Sequence, residues 1–471
     1  MLEEKDKSAE SKPDAPTGLR DETGAIRADV VERVVDAISR KDKATVHELA
    51  GSLHESEAGD LLEALEPEYR ARLIELLGDE FDFTALTQVD DTVREEILED
   101  LPAETVAEGV RDLDSDDAVY ILEDLPKEEQ VEILEQLPPD ERGALERSLF
   151  YPEESAGRRM QTEFIAVPPD WNVGQAIDYM RETDDLPGRF YELYVVDSER
   201  KLLGAVPLDK LLRSKRPVGV SDLMEPDRRR VRATDDQEEV ARLFERYDLV
   251  AAPVVDGTDR LVGVITVDDV VDVIEQEAEE DIKALGGVAR HEELSDPVPK
   301  VARGRFNWLL VNLATAFLAS SVLGLFEASL EKMVALAVLA PIVASQGGNA
   351  ATQTMTVAVR ALATRELGVG NAIRIILREV MVGFVNGLAF AVITGIGAYL
   401  WFKTPGLGVV IGLAMVVNLV AGALGGVLIP IALEKLRVDP AVASGAFVTT
   451  VTDVVGFFSF LGIATLWFGL R

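Results

Sequence analysis

VDPAVASGAFVTTVTDVVGFFSFLGIATLWFGL, residues 438–470, is the stretch of this sequence that decides its fold. Beyond Asp439 it contains a single charged residue, Asp453, in an otherwise apolar run. A helix needs roughly 20 apolar residues to cross the hydrocarbon core of a bilayer, and this run is longer. A soluble helix of this length would keep a polar face, which this run lacks. The stretch therefore predicts a membrane-spanning helix with one carboxylate near its middle.

Four further apolar runs precede this one, and none of them contains a charged residue. They cover residues 306–326, 333–359, 380–402 and 408–433. Each run is long enough to cross a bilayer as a helix. Together with the last run they predict an all-α transmembrane domain of five helices in residues 305–471.

The distribution of charge divides the chain in two. Its 471 residues hold 47 Lys and Arg against 84 Asp and Glu, a formal net charge of -37, although the mean hydropathy is +0.10. Residues 305–471 hold 10 basic and 7 acidic side chains, which leaves 37 basic and 77 acidic ones in residues 1–304. A soluble half with a net charge of -40 therefore precedes a nearly neutral apolar half.

Basic residues beside the apolar runs indicate the orientation in the membrane. If the N-terminus is inside, the inner side holds eight of them and the outer side three. The inner ones are Arg303, Arg305, Arg360, Arg365, Arg374, Arg378, Lys435 and Arg437, and the outer ones are Lys332, Lys403 and Arg471. The positive-inside rule thus predicts a multi-pass plasma-membrane protein with a cytoplasmic N-terminal half and its C-terminus outside. The N-terminus lacks a basic segment followed by an apolar one, so we expect no cleaved signal peptide.

The soluble half begins with a polar tail and a helical repeat. Residues 1–25 are rich in Pro, Ser, Asp and Glu, which predicts a disordered tail. A 12-residue period follows, and LPKEEQVEILEQ from Leu125 is a representative unit. Each unit has the pattern of a two-turn helix followed by a short connection, so residues 26–150 are predicted to form an acidic α-superhelix. The units open at Leu53, Leu65, Leu77, Val89, Leu101, Leu113, Leu125 and Leu137.

The next segment contains a repeated pattern that predicts two similar β/α units. LYVVD at Leu193 and LLGAVPLDKLL at Leu202 return as APVVD at Ala252 and LVGVITVDDVV at Leu261, an offset of 59 residues. Short β-branched runs between amphipathic segments predict two small α/β domains. The predicted order is a tail (1–25), a helical domain (26–150), two α/β domains (151–221 and 222–269), a connecting helix (270–304) and the membrane domain (305–471).

The composition excludes several classes of function. An acidic balance argues against nucleic-acid binding, which needs a positive surface facing phosphates. The chain has no cysteine and only three histidines, His47, His54 and His291, so a thiolate or zinc site is not expected. It has neither a nucleophile–base set nor a Gly-x-x-x-x-Gly-Lys-Ser/Thr loop, so we expect neither an enzyme nor an ATP-driven pump. Any bound metal should be a hard ion that prefers oxygen ligands.

Three polar residues of the membrane half are candidates for an ion path. Asp453 must face protein or water, because an isolated carboxylate is costly in hydrocarbon. It either makes a structural hydrogen bond to a neighbouring helix or attracts a hydrated divalent ion such as Mg²⁺. Asp439 precedes Pro440 and suits a helix cap. Asn349 ends a Gly-Gly-Asn segment whose backbone carbonyls could line a cavity, although a helix–helix hydrogen bond is the simpler role.

Two segments of the membrane half resemble a known family. PIVASQGGNAATQT from Pro341 and VDPAVASGAFVTTVTDVVGFF from Val438 are similar to the MgtE family of magnesium channels, and the repeated β/α unit resembles a tandem of CBS domains. The resemblance covers residues 26–471. It implies a homodimer in the bilayer, with the ion path on the two-fold axis and gating by intracellular Mg²⁺. It places Asp453 at the pore ion site and Asp439 at the cytoplasmic pore mouth.

The resemblance also implies regulatory metal ligands in the cytosolic half, within the segments LDSDDA, TDDQEEVAR and VDDVVDVIEQEAEED. It implies a second acid one turn after Asp116, where this chain has Tyr120. For each implied ligand the alternative is a solvated surface charge. The acidic surface, with 14 Lys against 33 Arg, also fits adaptation to high salt. The implied ligands are Asp116, Asp236, Glu238, Asp248, Asp269, Asp272, Glu277, Glu280 and Asp281.

Nucleotide binding is a further implication of the resemblance. CBS pairs hold adenine nucleotides through a Thr-x-x-Asp element, which implies ATP at Thr266 and Asp269. The first repeat has Pro207 and Lys210 at the corresponding places, so at most one such site is complete.

The expected function is a passive Mg²⁺ channel that cytosolic Mg²⁺ closes. A divalent cation that moves inward across 100 mV gains about 4.6 kcal/mol, so no other energy source is needed. Two alternatives remain open. The first is an ion-coupled secondary transporter of Mg²⁺, Co²⁺ or Mn²⁺, and the second is a non-conducting, membrane-anchored CBS sensor.

Overall fold

The computed structural model describes residues 19–470, apart from 22–23, 124, 184–185, 227–228, 291 and 368–369, and it does not describe the side chains of 442–444. The predicted disordered tail, residues 1–25, lies mostly outside the described residues. The chain forms two compact units, Met1–Glu275 and Gln276–Arg471, and each is described by itself.

The first unit opens with an all-α domain, as the repeat predicts. Its described residues form nine α-helices whose apolar faces share one core, and joints of a few residues connect all of them except the fourth and the fifth. The helices are α1 (Ala28–Ser39), α2 (Lys43–Ala50), α3 (Glu55–Ala64), α4 (Pro67–Leu77), α5 (Asp91–Asp100), α6 (Ala103–Arg111), α7 (Ser115–Glu123), α8 (Lys127–Gln136) and α9 (Pro139–Phe150).

The third unit of the 12-residue repeat departs from the predicted pattern. Residues 77–88 form two 3₁₀ helices, Gly78–Glu80 and Phe83–Gln88, instead of a two-turn α-helix. Gly78 ends α4 with a positive φ, and the Asp82 carboxylate accepts a hydrogen bond from the Thr84 amide, which restarts the chain in a new direction. This break directs the buried ring of Phe83 against Gly109, where an added Cβ would lie 2.2 Å from the ring.

Two CBS-type domains follow, each with a three-stranded sheet in which the first two strands are parallel and the last two antiparallel. The repeat offset of 59 residues is confirmed, because β5 and β6 begin 59 residues after β2 and β3. The elements are β1 (Ala166–Val167), α10 (Val173–Glu182), β2 (Glu192–Val196), β3 (Leu202–Pro207), α11 (Leu208–Leu212), α12 (Val220–Leu223), β4 (Val231–Arg232), α13 (Gln237–Tyr247), β5 (Ala251–Val255), β6 (Leu261–Thr266) and α14 (Val267–Leu285).

The two domains exchange the segments that precede them. Gln161, ahead of the first domain, pairs with Val264 in the second, and Glu225, ahead of the second, pairs with Ala205 in the first. Gly263 makes the first approach possible, since an added Cβ there would lie 2.8 Å from the Gln161 carbonyl oxygen. Gly204 has the same role toward Glu225, at 2.6 Å. Each sheet therefore receives a backbone partner from the other half of the pair.

The described part of the second unit contains five helices that are long and apolar enough to cross a membrane, which agrees with the predicted number. They extend beyond the charge-free runs because charged turns at their ends remain helical, as Arg374 and Glu379 do in α18. The short helix α16 was not predicted. The elements are α15 (Val298–Gly324), α16 (Glu327–Lys332), α17 (Val334–Ala363), α18 (Ala372–Phe402), α19 (Pro405–Lys435) and α20 (Pro440–Phe468).

Helix α19 is the centre of this unit and packs against α17, α18 and α20. Small residues allow the close contacts that hold helices together in membranes. At the crossing of α18 and α19, an added Cβ on Gly395 would lie 2.9 Å from the Gly408 carbonyl oxygen. Helices α15 and α18 are mostly exposed within one chain, so their faces are available to lipid or to another subunit.

Candidate functional site

Asp453 is a half-buried carboxylate near the middle of α20. Its neighbour Thr452 is fully buried and satisfies its own hydroxyl, which donates to the carbonyl oxygens of Val448 and Thr449 at 3.3 and 2.9 Å. Among the residues that the structure describes, no side chain or backbone group is hydrogen-bonded or ion-paired to the Asp453 carboxylate. The structural hydrogen bond considered for it is therefore not seen in these residues, and the carboxylate is open to interact with an ion.

The Gly-Gly-Asn segment of α17 lies beside the Asp453 turn of α20. An added Cβ on Gly348 would be 3.8 Å from Thr452 Oγ1, an ordinary van der Waals contact. Asn349, the next residue, is exposed within the single chain. The structure thus brings α17 and α20 together at the depth of Asp453, and the role of Asn349 stays a prediction.

Asn418 of α19 is the fully buried polar group behind these two helices. Its Nδ2 donates to the Val343 carbonyl oxygen of α17 at 2.8 Å, which is the helix–helix hydrogen bond expected of a buried amide. Added Cβ atoms on Gly347 and Gly456 would lie 2.1 and 2.7 Å from this nitrogen. Only glycine at both places lets α17 and α20 close around Asn418.

Asp439 caps α20 and also forms an ion pair. Its Oδ1 accepts a hydrogen bond from the Ala441 amide at 2.8 Å, as a residue before a helix-opening proline often does. Its Oδ2 pairs with the guanidinium of Arg290. The same guanidinium lies 3.5 Å from the buried Glu280 carboxylate of α14. Two of the predicted metal ligands, Glu280 and Asp439, are thus brought together around an arginine.

An acid cluster forms in the first unit where α7 of the helical domain meets the start of α14. Burial, followed by the nearby Asp269 carboxylate, raises the pKa of Asp116 well above its usual value. The same two causes raise the pKa of Asp117 to about 7. Burial also raises the pKa of Asp269, although hydrogen bonds from Thr266 act in the opposite direction. Three carboxylates therefore repel one another at this junction.

Sequence reasoning found Asp116, Asp269 and Asp272 but missed Asp117 at the same junction. The signal was present, because the segment LDSDDA places Asp116 and Asp117 in the first turn of one helix, with Asp114 just before it. Oxygen-only donors suit Mg²⁺. Among the described residues, however, no three Asp, Glu or His side chains converge closely enough to hold a metal ion. The cluster is a region of shared negative charge and not a preformed coordination site within one chain.

The predicted ligands on α13 lie at its two ends. The Asp236 carboxylate caps the helix by accepting from the Glu238 amide at 2.9 Å, and Glu238 itself pairs with Arg242. Asp248 ends the helix in the left-handed region with a φ of 50°. Because 11 residues of helix span roughly 16 Å, the structure does not bring Asp248 to the other two within one chain.

The remaining predicted ligands lie on the second half of α14, in the second unit. Glu277 is half-buried and Asp281 is exposed. They are four residues apart and so share one face of the helix. Their ligand roles, like those of the other acids ahead of the membrane helices, stay predictions.

Thr266 and Asp269, the predicted nucleotide contacts, are bonded to each other. The Thr266 hydroxyl donates to Asp269 Oδ2 at 2.9 Å and also contacts Asp268. The cleft beside Thr266, lined in part by Glu163 and Arg189, has a volume of about 20 Å³. That is room for one or two water molecules. The cleft in this arrangement is smaller than a nucleotide.

Three family profiles match this chain in the order of its domains. A profile described as the MgtE intracellular N domain matches residues 53–154, CBS-domain profiles match 156–216 and 220–276, and one described as a divalent cation transporter, MgtE, matches 340–463. A magnesium transporter MgtE of Thermus thermophilus is 37% identical over 327 residues, 69% of this chain and 72% of that protein. The chain belongs to the MgtE family. Magnesium transporters MgtE of Bacillus subtilis and Enterococcus faecalis are 34% and 35% identical over 71% and 72% of their lengths.

Two solved structures resemble the soluble part of this MgtE-family chain. The soluble part of a magnesium transporter is 27% identical, covers 53% of this chain and 98% of the other, and has a TM-score of 0.46. The cytosolic domain of the Mg²⁺ channel MgtE, in complex with ATP, is 30% identical, covers 52% and 99%, and has a TM-score of 0.48.

Membership of the MgtE family confirms the resemblance found in the sequence and the predicted fold class. It also identifies a transporter family, which is not an enzyme class. Together with the five apolar helices it establishes a multi-pass membrane protein.

Proposed function

We propose that this protein is a homodimeric channel through which Mg²⁺ enters the cell passively, and that cytosolic Mg²⁺ closes it. The observation that carries this proposal is the open, half-buried carboxylate of Asp453 in the middle of a membrane helix. Relatives named magnesium transporters support Mg²⁺ as the transported ion.

The chemistry of Asp453 suits a hydrated divalent cation. A single carboxylate is too little charge to strip water from Mg²⁺, which gives up its hydration shell reluctantly. Two such carboxylates related by a two-fold axis would place a charge of -2 on the ion path. The packing of α17 and α20 around the buried Asn418 holds the Asp453 turn in place from behind. A dimer therefore gives this residue a role that one chain alone does not.

Mg²⁺ flux into liposomes tests the pore. Purified wild-type protein should carry Mg²⁺ into liposomes when a membrane potential is applied, and Asp453→Asn should abolish most of that flux. Glu327→Gln is the matched control, because Glu327 is an exposed acid in the short helix α16, and the variant should conduct like the wild type. Flux in Asp453→Asn equal to that of the wild type would exclude Asp453 as the pore site. No flux in any variant would favour a sensor.

The acid cluster of α7 and α14 supports the proposed gating. At low cytosolic Mg²⁺, the carboxylates of Asp116, Asp117 and Asp269 repel, which favours separation of the elements that carry them. Bound Mg²⁺ would supply the positive charge that this cluster lacks. Binding that is tighter in the closed arrangement shifts the population toward it. The connecting segment then closes the pore from the cytoplasmic side.

Inside-out patch recording tests the gating separately from the flux. The open probability should fall as Mg²⁺ in the bath rises, and the triple change Asp116→Asn, Asp117→Asn and Asp269→Asn should weaken that response. An open probability that does not depend on Mg²⁺ would contradict the gating proposal. Saturable flux coupled to protons, without single-channel currents, would instead indicate a secondary transporter.

A further inference from the structure

The outer face of α18 carries two arginines near the membrane surface at which that helix begins. Arg374 and Arg378 are exposed and four residues apart, so they lie one turn apart on the same face. The side chain of Arg378 is 73% exposed. The charge-free run of α18 starts only at Val380. Two cationic side chains are therefore placed at the headgroup depth of one leaflet.

Neither arginine is neutralised by a close ion pair among the residues that the structure describes. Arg374 has no acidic partner there. The Nε atom of Arg378 lies 3.8 Å from Glu379 Oε1, which is longer than a hydrogen bond. Glu379 is only 12% exposed and accepts from the Thr354 hydroxyl of α17 at 3.4 Å, so its carboxylate faces inward. Both guanidinium groups thus keep donors for a negatively charged ligand.

A groove continues from Arg378 toward the middle of the membrane. It has a volume of about 390 Å³ and is lined by Arg378, Met381, Val382, Val385 and Asn386. The three apolar side chains are 67%, 45% and 58% exposed, in that order. Asn386 is roughly 12 Å from Arg378 along the helix axis and so lies at the deep end. The groove therefore has a cationic end at the membrane surface and an apolar length within the hydrocarbon.

The charge of this face argues against a second copy of the chain as its occupant. A two-fold contact brings the same face of both subunits together. Arg374 and Arg378 of each subunit would then meet, and four like charges would repel one another. In addition, α18 packs mainly on α19, whereas Asn349 and Asp453 lie on α17 and α20. The face thus belongs to a different element from the residues of the proposed ion path.

We propose that this face of α18 binds one anionic phospholipid, with its phosphate on Arg374 and Arg378 and an acyl chain in the adjoining groove. Guanidinium groups bind phosphate oxygens through paired, charge-assisted hydrogen bonds. Basic pockets at a membrane surface recognise acidic headgroups in this way. Free phosphate would satisfy the arginines but leave the apolar groove empty, so the groove identifies a lipid. This inference does not depend on whether the protein conducts.

Quenching of a fluorophore in the groove by brominated lipids tests the proposal. The chain has no cysteine, so Val385→Cys can be labelled with bimane in the full chain. The labelled protein is reconstituted in nanodiscs of phosphatidylcholine that contain a minor fraction of phosphatidylglycerol. Either the phosphatidylglycerol or an equal amount of the phosphatidylcholine carries the bromine. We expect brominated phosphatidylglycerol to quench as though it were enriched about tenfold at the groove.

Removing the arginines from the labelled chain should remove this preference. With both Arg374→Gln and Arg378→Gln the two brominated lipids should quench equally, and Arg378→Gln alone, which tests the site if the double variant fails to fold, should weaken the preference. The matched control combines Lys435→Gln and Arg437→Gln. These are two exposed basic residues at and just beyond the end of α19, on the same side of the membrane, and the control should keep the preference.

Four results would overturn the proposal. Equal quenching by the two lipids in the parent labelled chain would mean that the groove does not select the headgroup. An equal loss of preference in the Lys435 and Arg437 control would indicate general attraction to basic residues. Quenching by neither lipid would mean that protein covers the face. A preference abolished by inorganic phosphate, but not by chloride at the same ionic strength, would indicate a site for free anions. None of these readouts uses ion flux.

Discussion

Asp117, an acid of the N-terminal half, has a pKa that its surroundings raise strongly. Burial comes first among the causes, followed by Asp269 and Asp114, and together they raise its pKa from 3.8 to about 7. A carboxylate whose pKa is higher in the folded state binds protons more tightly there. Its contribution to stability is therefore fully present below about pH 4 and is lost as the pH rises through about 7.

We expect the N-terminal half to melt at a higher temperature at pH 5.5 than at pH 8, when divalent ions are removed with EDTA. In Asp117→Asn that difference should shrink by a few degrees. The full shift corresponds to at most roughly 4 kcal/mol, and solvent access to this half-buried group reduces the expected effect to about 1–2 kcal/mol. Thermal melting at the two pH values measures it. Glu132→Gln, an exposed acid on α8, is the control, and an unchanged pH difference in Asp117→Asn would contradict the assignment.

At the residue scale, the sequence identified carboxylates as the side chains that matter in the acid cluster, but it did not show which individual acids lie there. Asp116 and Asp117 are adjacent in LDSDDA, and on a helix they point about 100° apart. Both of them come near Asp269 because of the way α7 docks, which cannot be predicted from the local sequence. Tyr120 is the reverse case, since its departure from the family pattern was visible but its position between Arg94 and Arg159 was not.

Among the helices, the contact of α19 with α17 gives the sharpest prediction. Asn418→Ala removes the hydrogen bond to Val343 and leaves a cavity between Gly347 and Gly456. The expected loss of stability is about 1–2 kcal/mol, typical of a buried helix–helix hydrogen bond in a membrane protein. Thermal melting in detergent should detect it. Asn386→Ala is the matched control, because Asn386 is an exposed amide on α18, and a similar loss in both variants would refute a special role for Asn418.

The number and type of the helices could be predicted because the sequence signals for them, the 12-residue repeat and the long apolar runs, are periodic or continuous. The 12-residue repeat places a buried Leu or Val at most joints, such as Leu65 and Leu101, so its helices could be counted in advance. The exception, residues 77–88, depends on Gly78 and on the capping of Thr84 by Asp82, which are local features inside the repeat. Helix ends were less predictable, because hydropathy marks where the apolar run stops and not where the backbone hydrogen bonds stop.

For the whole molecule, the orientation in the membrane is the prediction that most needs a test. Glu331, in α16, and Thr364 are exposed residues that flank α17 on its two sides. If the N-terminal half is cytoplasmic, as the positive-inside rule predicts, a membrane-impermeant maleimide should label Glu331→Cys in intact cells. Thr364→Cys should be labelled only after the membrane is permeabilised. The cysteine-free wild type is the control, and the opposite labelling pattern would reverse the orientation.

The order of the domains could be predicted from the sequence because each domain has its own pattern of charge, sequence repeat or hydropathy. The exchange of segments between the CBS domains was not, because it pairs residues as distant as Gln161 and Val264. The contacts of Arg159 with Glu123 and Gln237 could not be predicted for the same reason, since these two partners lie far from Arg159 on either side of it in the chain. Long-range pairing is decided by the packed fold and not by local preference.

That exchange also determines the order of events during synthesis. Gln161 is synthesised before its backbone partner, Val264. In the same way, the first CBS sheet lacks a backbone partner until Glu225 has been synthesised. Neither repeat can complete its sheet before most of the pair has been translated. A chain cut between the repeats would leave two unpaired sheet edges, which are sites of aggregation. The pair is therefore the smallest piece of this region that we expect to fold without an unpaired sheet edge.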